Sequence, residues 1–237
     1  MNLSALDTAR WNTVTAKASG VSAESLPSLL AYCREHSVGL LIARCLTSEL
    51  AAAQAMERAG FQVMDTLVYF SRGLDDDVPP DQGMVAVREA ASGEHRAVKE
   101  VARRAFAGYF GHYHADARLE RRQCDELYVD WAERSCLSRE VADTVLVAAH
   151  AGEIVAFATL RLNDQEEGEG VLFGVAPQAQ GRGIYRALMT GAMRWFKARG
   201  RSRMLVSTQI TNIAVQKVWT RLGFEPASSW HTFHKWF

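Results

Sequence analysis

The run Val175-Ala176-Pro177-Gln178-Ala179-Gln180-Gly181-Arg182-Gly183-Ile184-Tyr185-Arg186-Ala187-Leu188 decides the fold. It lies between an apolar strand pattern, Val171 to Ala176, and a helical pattern of apolar residues from Gly183 to Arg199. At such a strand-to-helix turn glycine lets the backbone approach a ligand, and the free N–H groups of the first helical turn converge on an anion. A pyrophosphate fits there. Pro177 removes a donor and helps to end the strand, while Arg182 and Arg186 add local positive charge. Spacing alone also fits an ordinary glycine-rich loop opening a helix.

Outward from this turn the pattern keeps alternating. Downstream come a strand from Met204 to Gln209, a helix from Asn212 to Leu222 and a strand pair from Phe224 to Phe237. Upstream, Met84 to Ala90 reads as a strand, Glu94 to Ala107 as a helix with Val98, Val101, Ala105 and Phe106 on one stripe, and Leu119 to Ser135 as a second helix. Between these helices Tyr109 to Ala117 reads as a loop rich in aromatic residues and histidine. Thr144 to Ala149 and Ile154 to Leu162 form a hairpin turned at Ala151-Gly152-Glu153, and an acidic loop from Asn163 to Gly170 follows. The fold class is mixed α/β.

Ser71 to Gly83, with its aspartates, Pro79-Pro80 and Gly83, suits neither helix nor central strand. It divides the chain into residues 1–72, a linker at 73–83 and residues 84–237. The first part repeats some of the later order: strand near Val14 to Ala18, helix Ala23 to His36, strand Val38 to Ala43, helix Ser48 to Ala59, strand Phe61 to Phe70. Gln54 to Phe61 aligns with Lys217 to Phe224, each closing a helix with Arg, an apolar residue, Gly and Phe. A half-repeat and two unrelated helix ends both explain that match.

Bulk composition excludes several classes. Hydrophobic residues make up 48% and charged residues 23% of the 237 residues, ordinary globular values. The formal net charge of +0 offers no global field for nucleic acid or an anionic membrane, so neither is an expected partner. No secretory signal or spanning apolar run is visible, and a cytoplasmic protein is expected. Cys33, Cys45, Cys124 and Cys136 are too scattered for a zinc site, and no metal is expected.

The central turn resembles that of the GNAT acetyltransferases, which reads Gln/Arg-x-x-Gly-x-Gly/Ala. Gln180, Gly181, Arg182 and Gly183 match, and Tyr185 stands where the last small residue is usual. The resemblance implies a GNAT fold with a mixed central sheet behind a truncated GNAT-like half-domain, and acetyl-CoA as donor with coenzyme A as product. It assigns the main chain of Phe173, Gly174 and Val175 to the pantetheine arm, and the turn with Tyr185 and Arg186 to the diphosphate. Asn212 carries over as a cofactor contact, although asparagine also suits a helix N-cap. The whole order looks similar to the dTDP-fucosamine acetyltransferase group, through Phe110, His112, His114, Asp116, Tyr128 and Trp131. In that group a tyrosine is proposed to protonate the leaving thiolate, and Trp219, whose indole is no acid, stands there.

The resemblance then implies transfer of acetyl to the primary amine of a small nucleotide-linked amino-dideoxy sugar. His112 or His114 is the expected base, oriented by Asp116. Tyr109, Phe110, Tyr113 and Tyr128 are expected against the substrate, and Trp219 beside the acyl group. His231 and His234, three apart in an extended segment, should face opposite ways. Acetylation of a protein, polyamine or antibiotic, and a catalytically silent acyl-CoA sensor, stay open, as does oligomeric state, a homodimer included.

Overall fold

In a computed structural model, residues 1–75, 77–80 and 85–237 are described. Asp76 and Gly83 of the expected linker, and Met84 of the strand expected after it, lie outside them. The order of elements is β1 (Asn2–Leu3), α1 (Ala5–Trp11), β2 (Thr15–Ala18), α2 (Leu26–Glu35), β3 (Leu40–Leu46), α3 (Leu50–Arg58) and β4 (Gln62–Gly73). After the Pro79-Pro80 stretch come β5 (Ala86–Glu89), α4 (His95–Ala105), α5 (His112–Ala115), α6 (Arg121–Leu137), β6 (Thr144–His150), β7 (Glu153–Leu162) and β8 (Glu167–Val175). A single 3-10 turn at Pro177–Ala179 leads to α7 (Ile184–Lys197), β9 (Arg203–Gln209), α8 (Ile213–Arg221) and β10 (Glu225–Trp236).

The described strands form one mixed sheet in the order β1-β2-β3-β10-β4-β9-β8-β7-β6-β5. Strands from before and after the linker therefore interleave: β10 runs between β3 and β4, and β4 runs between β10 and β9. Three buried clusters hold helices to this sheet. α2 and α3 bring Leu26, Leu29 and Met56 onto Leu41, Ala43 and Phe233. α7 and α8 bring Leu188, Met193, Phe196 and Trp219 onto Phe70, Leu160 and Val206, on the same side of the sheet. α4 and α6 cover the opposite side, Val98, Val101 and Leu127 packing on Val145, Val147 and Phe157.

Several expectations are corrected: Ser71 to Gly73, read as unfit for a central strand, are the end of β4 and pair with β9, which takes the edge of the expected linker into the sheet. The supposed strand pair at the end is one long strand, β10, kept whole because β3 and β4 pair along its two edges. The acidic loop is shorter than expected, since Glu167 to Gly170 already belong to β8. A short helix, α5, interrupts the aromatic loop, and the unassigned first residues form β1 and α1. α1 is pinned by Asp7, buried under the Tyr113 hydroxyl at 3.0 Å and the Lys17 ammonium at 2.6 Å.

The two aligned helix ends adopt one geometry. Gly60 and Gly223 have φ of +80° and +79°, and Phe61 N–H and Phe224 N–H each reach back five residues, to Met56 and Trp219 carbonyls, at 3.0 Å. Glycine is required there because an L side chain is strained in that region. A Cβ on Gly223 would meet nothing closer than Arg72 at 3.7 Å, so the cost of Gly223→Ala is backbone strain alone. About 1 to 2 kcal/mol of stability should be lost. Urea denaturation checks this, and an unchanged midpoint would contradict the strain argument.

Candidate active site

At the end of β8 the chain turns through Gly181 and Gly183, both at φ +74°. These left-handed residues splay the backbone so that no described group accepts a hydrogen bond from the amides of Gly181 through Arg186; Ala187 is the first residue there whose N–H is taken, by Gly183 O at 3.0 Å. Gln180 is a structural tie, its Nε2 donating to Val175 O at 3.1 Å. Arg182 and Gly183 are exposed, Arg186 is half-buried, and no described carboxylate pairs with either arginine. A glycine-rich turn of free amides with two unpaired guanidinium groups fits a diphosphate.

Beside this turn the sheet comes apart. β8 and β9 pair only from Glu167–Arg203 to Gly170–Val206, yet β8 continues to Val175 and β9 to Gln209. The edge of Val171 to Val175 facing β9, including Phe173 and Gly174, is left without a strand partner, and a slot passes through the sheet. A cavity of about 720 Å³ occupies it, reaching Asn212, Trp219 and Tyr185 on the helical side and Glu169, His112 and Tyr128 on the other.

Within the slot Asn212 plays two parts: it caps α8, its Oδ1 accepting from Val215 N–H at 3.4 Å, and its Nδ2 holds Thr208 Oγ1 at 3.0 Å. The Tyr185 ring leans on Phe173 with centroids 5.5 Å apart, and its hydroxyl accepts the Trp219 indole N–H at 2.9 Å. Burial raises the Tyr185 phenol far above its ordinary pKa, so it remains protonated. A phenol from α7 thus stands against the indole at position 219.

The structure divides the aromatic and histidine residues. Tyr109, His112, Tyr113 and Tyr128 line the cavity. Phe110 does not; it is 51% exposed, with the Arg121 guanidinium over its ring. His114 caps the start of α5 instead, accepting Gly111 N–H at its Nδ1 and contacting Asp125 with Nε2, both at 3.1 Å. Asp116 is buried and orients His234 rather than His112 or His114: its Oδ2 lies 2.7 Å from His234 Nδ1 and 2.9 Å from Trp236 Nε1. His234 Nε2 in turn meets His112 Nδ1 at 2.9 Å. Burial first, and the neighbouring His234 next, push the His112 pKa well below its ordinary value, so His112 is neutral near pH 7. His231 faces the other side of β10, bonded to Thr66 Oγ1 at 3.0 Å.

Sequence reasoning missed Glu169. It lies on β8 one residue before the pairing with β9 ends, faces the cavity and is half-buried. Burial is the main cause of its raised pKa, with Glu167 adding to it. The signal was the alternation Glu167-Gly168-Glu169-Gly170 running into an apolar strand, a period of two that an acidic loop does not need. Asp7, Lys17, Arg44 and Asp65, all from before the linker, also reach the cavity and had no sequence signature.

Residues 98–224 match the profile of the Acetyltransferase (GNAT) family, more than half of the chain. The chain belongs to that family. Acetyl-CoA is the acetyl donor of GNAT enzymes, and the free amides and open strand edge suit it. Among curated relatives, the spore coat polysaccharide biosynthesis protein SpsD of Bacillus subtilis is 24% identical over 144 residues, 61% of this chain and 48% of that protein. The mycothiol acetyltransferase of Amycolatopsis mediterranei is 30% identical over 90 residues, 35% of this chain and 30% of its own length. This GNAT chain therefore matches about half or less of those relatives. Of solved structures, a GCN5-related N-acetyltransferase from Sphaerobacter thermophilus has a TM-score of 0.64 at 18% identity, covering 90% of this chain and 68% of that one, a likeness of fold. No helix among the described residues is long and apolar enough to cross a membrane.

Replacing Gly183 by alanine should weaken coenzyme A binding roughly five- to thirtyfold, the equivalent of about 1 to 2 kcal/mol of left-handed strain released by moving the amides away. Calorimetric titration measures it; an unchanged affinity would show that these amides hold no ligand.

Proposed function

We propose that this GNAT protein moves the acetyl group of acetyl-CoA to the primary amine of a nucleotide-linked amino-dideoxy sugar by direct attack, both substrates being bound together. The observation that carries the transferase reading is the slot between β8 and β9, with free amides and a free strand edge on one side and a polar cavity holding a half-buried carboxylate on the other. The amides of Gly181 to Arg186, with Arg182 and Arg186, would hold the diphosphate. Phe173, Gly174 and Val175 would hold the pantetheine arm through their main chain. Acetyl-CoA supplies the activated acyl group. Holding amine and thioester in attack geometry accounts for about 7 to 11 kcal/mol in favourable cases, and N–H groups near Gly174 polarise the carbonyl.

In this reading Glu169 removes the proton of the amine. Its raised pKa brings it nearer the working pH, whereas His112 is depressed too far to be an efficient base and serves as a neutral hydrogen-bonding group held by His234 and Asp116. Tyr185, its oxygen already accepting the Trp219 N–H, has its own proton to donate to the departing sulfur. Tyr109, Tyr113 and Tyr128 form an aromatic wall suited to a sugar or base face. SpsD, named for polysaccharide biosynthesis, supports a sugar acceptor. The shared caps at Gly60 and Gly223 support residues 1–72 as a truncated GNAT-like half. Acetyl-CoA use and four free cysteines favour the cytoplasm. The mycothiol acetyltransferases, by their name, support a second reading, an acceptor of another small-molecule class.

Incubation with acetyl-CoA and a panel of dTDP-amino-dideoxy sugars should add one acetyl mass to an acceptor, by mass spectrometry; no turnover with any nucleotide-linked amino sugar overturns the acceptor assignment. Glu169 works deprotonated, so kcat/KM should rise with pH through a pKa above the ordinary glutamate value. Glu169→Gln should abolish that limb and lower kcat about 10²- to 10⁴-fold. Retention of the limb would assign the base elsewhere.

A further inference from the structure

Away from the glycine turn the cavity is lined from β2, β3 and β4, and its charges are not all matched. Lys17 is closed on Asp7 and Arg10 on Asp130, each at 2.6 Å. Four charged groups of the lining form no ion pair among the described residues, Arg134 and Glu169 and, on the strands before the linker, Arg44 and Asp65. Arg44 donates from Nε to Thr232 Oγ1 at 3.3 Å, and among the described residues no carboxylate lies within ion-pair reach of its guanidinium. Asp65 receives one long bond, 3.4 Å, from Gln209 Nε2, and its other oxygen, buried, receives none.

Strand register explains why these two do not neutralise each other. Thr232 of β10 stands opposite Arg44 on β3 and opposite Asp65 on β4, so the three share one face and one row. Arg44 and Asp65 are therefore two inter-strand spacings apart, about 9.5 Å between backbones. Asp65 is half-buried with one oxygen fully buried, and a buried oxygen short of donors is costly unless a ligand completes it. Both line the cavity that holds Glu169.

We propose that Arg44 and Asp65 form an acceptor-recognition site for an amine that also carries an anionic group. Arg44 takes a phosphate or carboxylate, and Asp65 takes a hydroxyl or ammonium donor. The assignment deepens the acyltransferase reading and rests on it. It gives the strands before the linker a task, selection of the acceptor.

The test titrates the protein saturated with coenzyme A, so that the site at the glycine turn is filled, with dTDP as the phosphate probe and succinate as the carboxylate probe. One of them should bind, and which one distinguishes the two anion types. Arg44→Met should weaken that binding roughly ten- to hundredfold, the loss expected for hydrogen bonds to a charged group, and Arg44→Lys should recover part of it. Asp65→Asn should not weaken it. Coenzyme A affinity, unchanged across the three variants, reports that each is folded. Binding of neither anion to the saturated wild type, or equal binding to Arg44→Met, overturns the proposal. Failure of the wild type to bind coenzyme A sinks the acyltransferase reading itself.

Discussion

β8 and β9 hold together for four residues and then part, and the rest of the molecule is arranged around that separation. In a continuous sheet every edge amide and carbonyl is taken by its neighbour, and nothing can pass from one face to the other. Here the outer part of β9 stays ordered because β4 pairs with it from Leu67–Gln209 to Gly73–Arg203, while β7 keeps β8 straight to Val175. Each strand is thus supported from its far side. The gap costs little cohesion and leaves polar main chain available to a ligand.

The interleaving of the two halves of the chain follows from the same arrangement. β4 comes from before the linker and is the strand that props β9; β10 comes from the end of the chain and fastens β4 to β3. Neither half closes its sheet alone. The aromatic side chains beside the slot obey a related economy of space: Trp219 fills the helix side under Phe70, and Tyr185 supplies a hydroxyl where its indole needs an acceptor. Tyr185 and Trp219 stand far apart along the chain, yet they are one contact in space.

Buried polar groups on the other face form a second connected unit. Asp116 is held by His234, Trp236 and the Arg118 amide, and burial, which alone would raise its pKa, is outweighed by those donors. Asp7 is treated in the same way by Lys17, Ser4 and Tyr113. Both aspartates fasten α1 and α5 to the sheet, which keeps the aromatic wall and His112 against the cavity. Carboxylates that look alike in sequence thus divide into anchors, Asp7 and Asp116, and groups that line the cavity with no ion-pair partner among the described residues, Asp65 and Glu169.

The resemblance of the central turn to a known family implied an acyl-CoA donor, while the chain's own order of residues was enough to read the alternation of helices and strands, the glycine turn and the caps at Gly60, Gly223 and Asn212. These are local: each depends on a left-handed backbone position, a period of apolar residues or a capping side chain within one turn. Which polar residues meet at the site was not legible, because pairing in a sheet joins positions far apart in the chain. Register alone brings Thr232 between Arg44 and Asp65, folding alone brings His234 to Asp116, and only the end of pairing at Gly170 turns Glu169 from one acidic residue among several into a carboxylate at the slot.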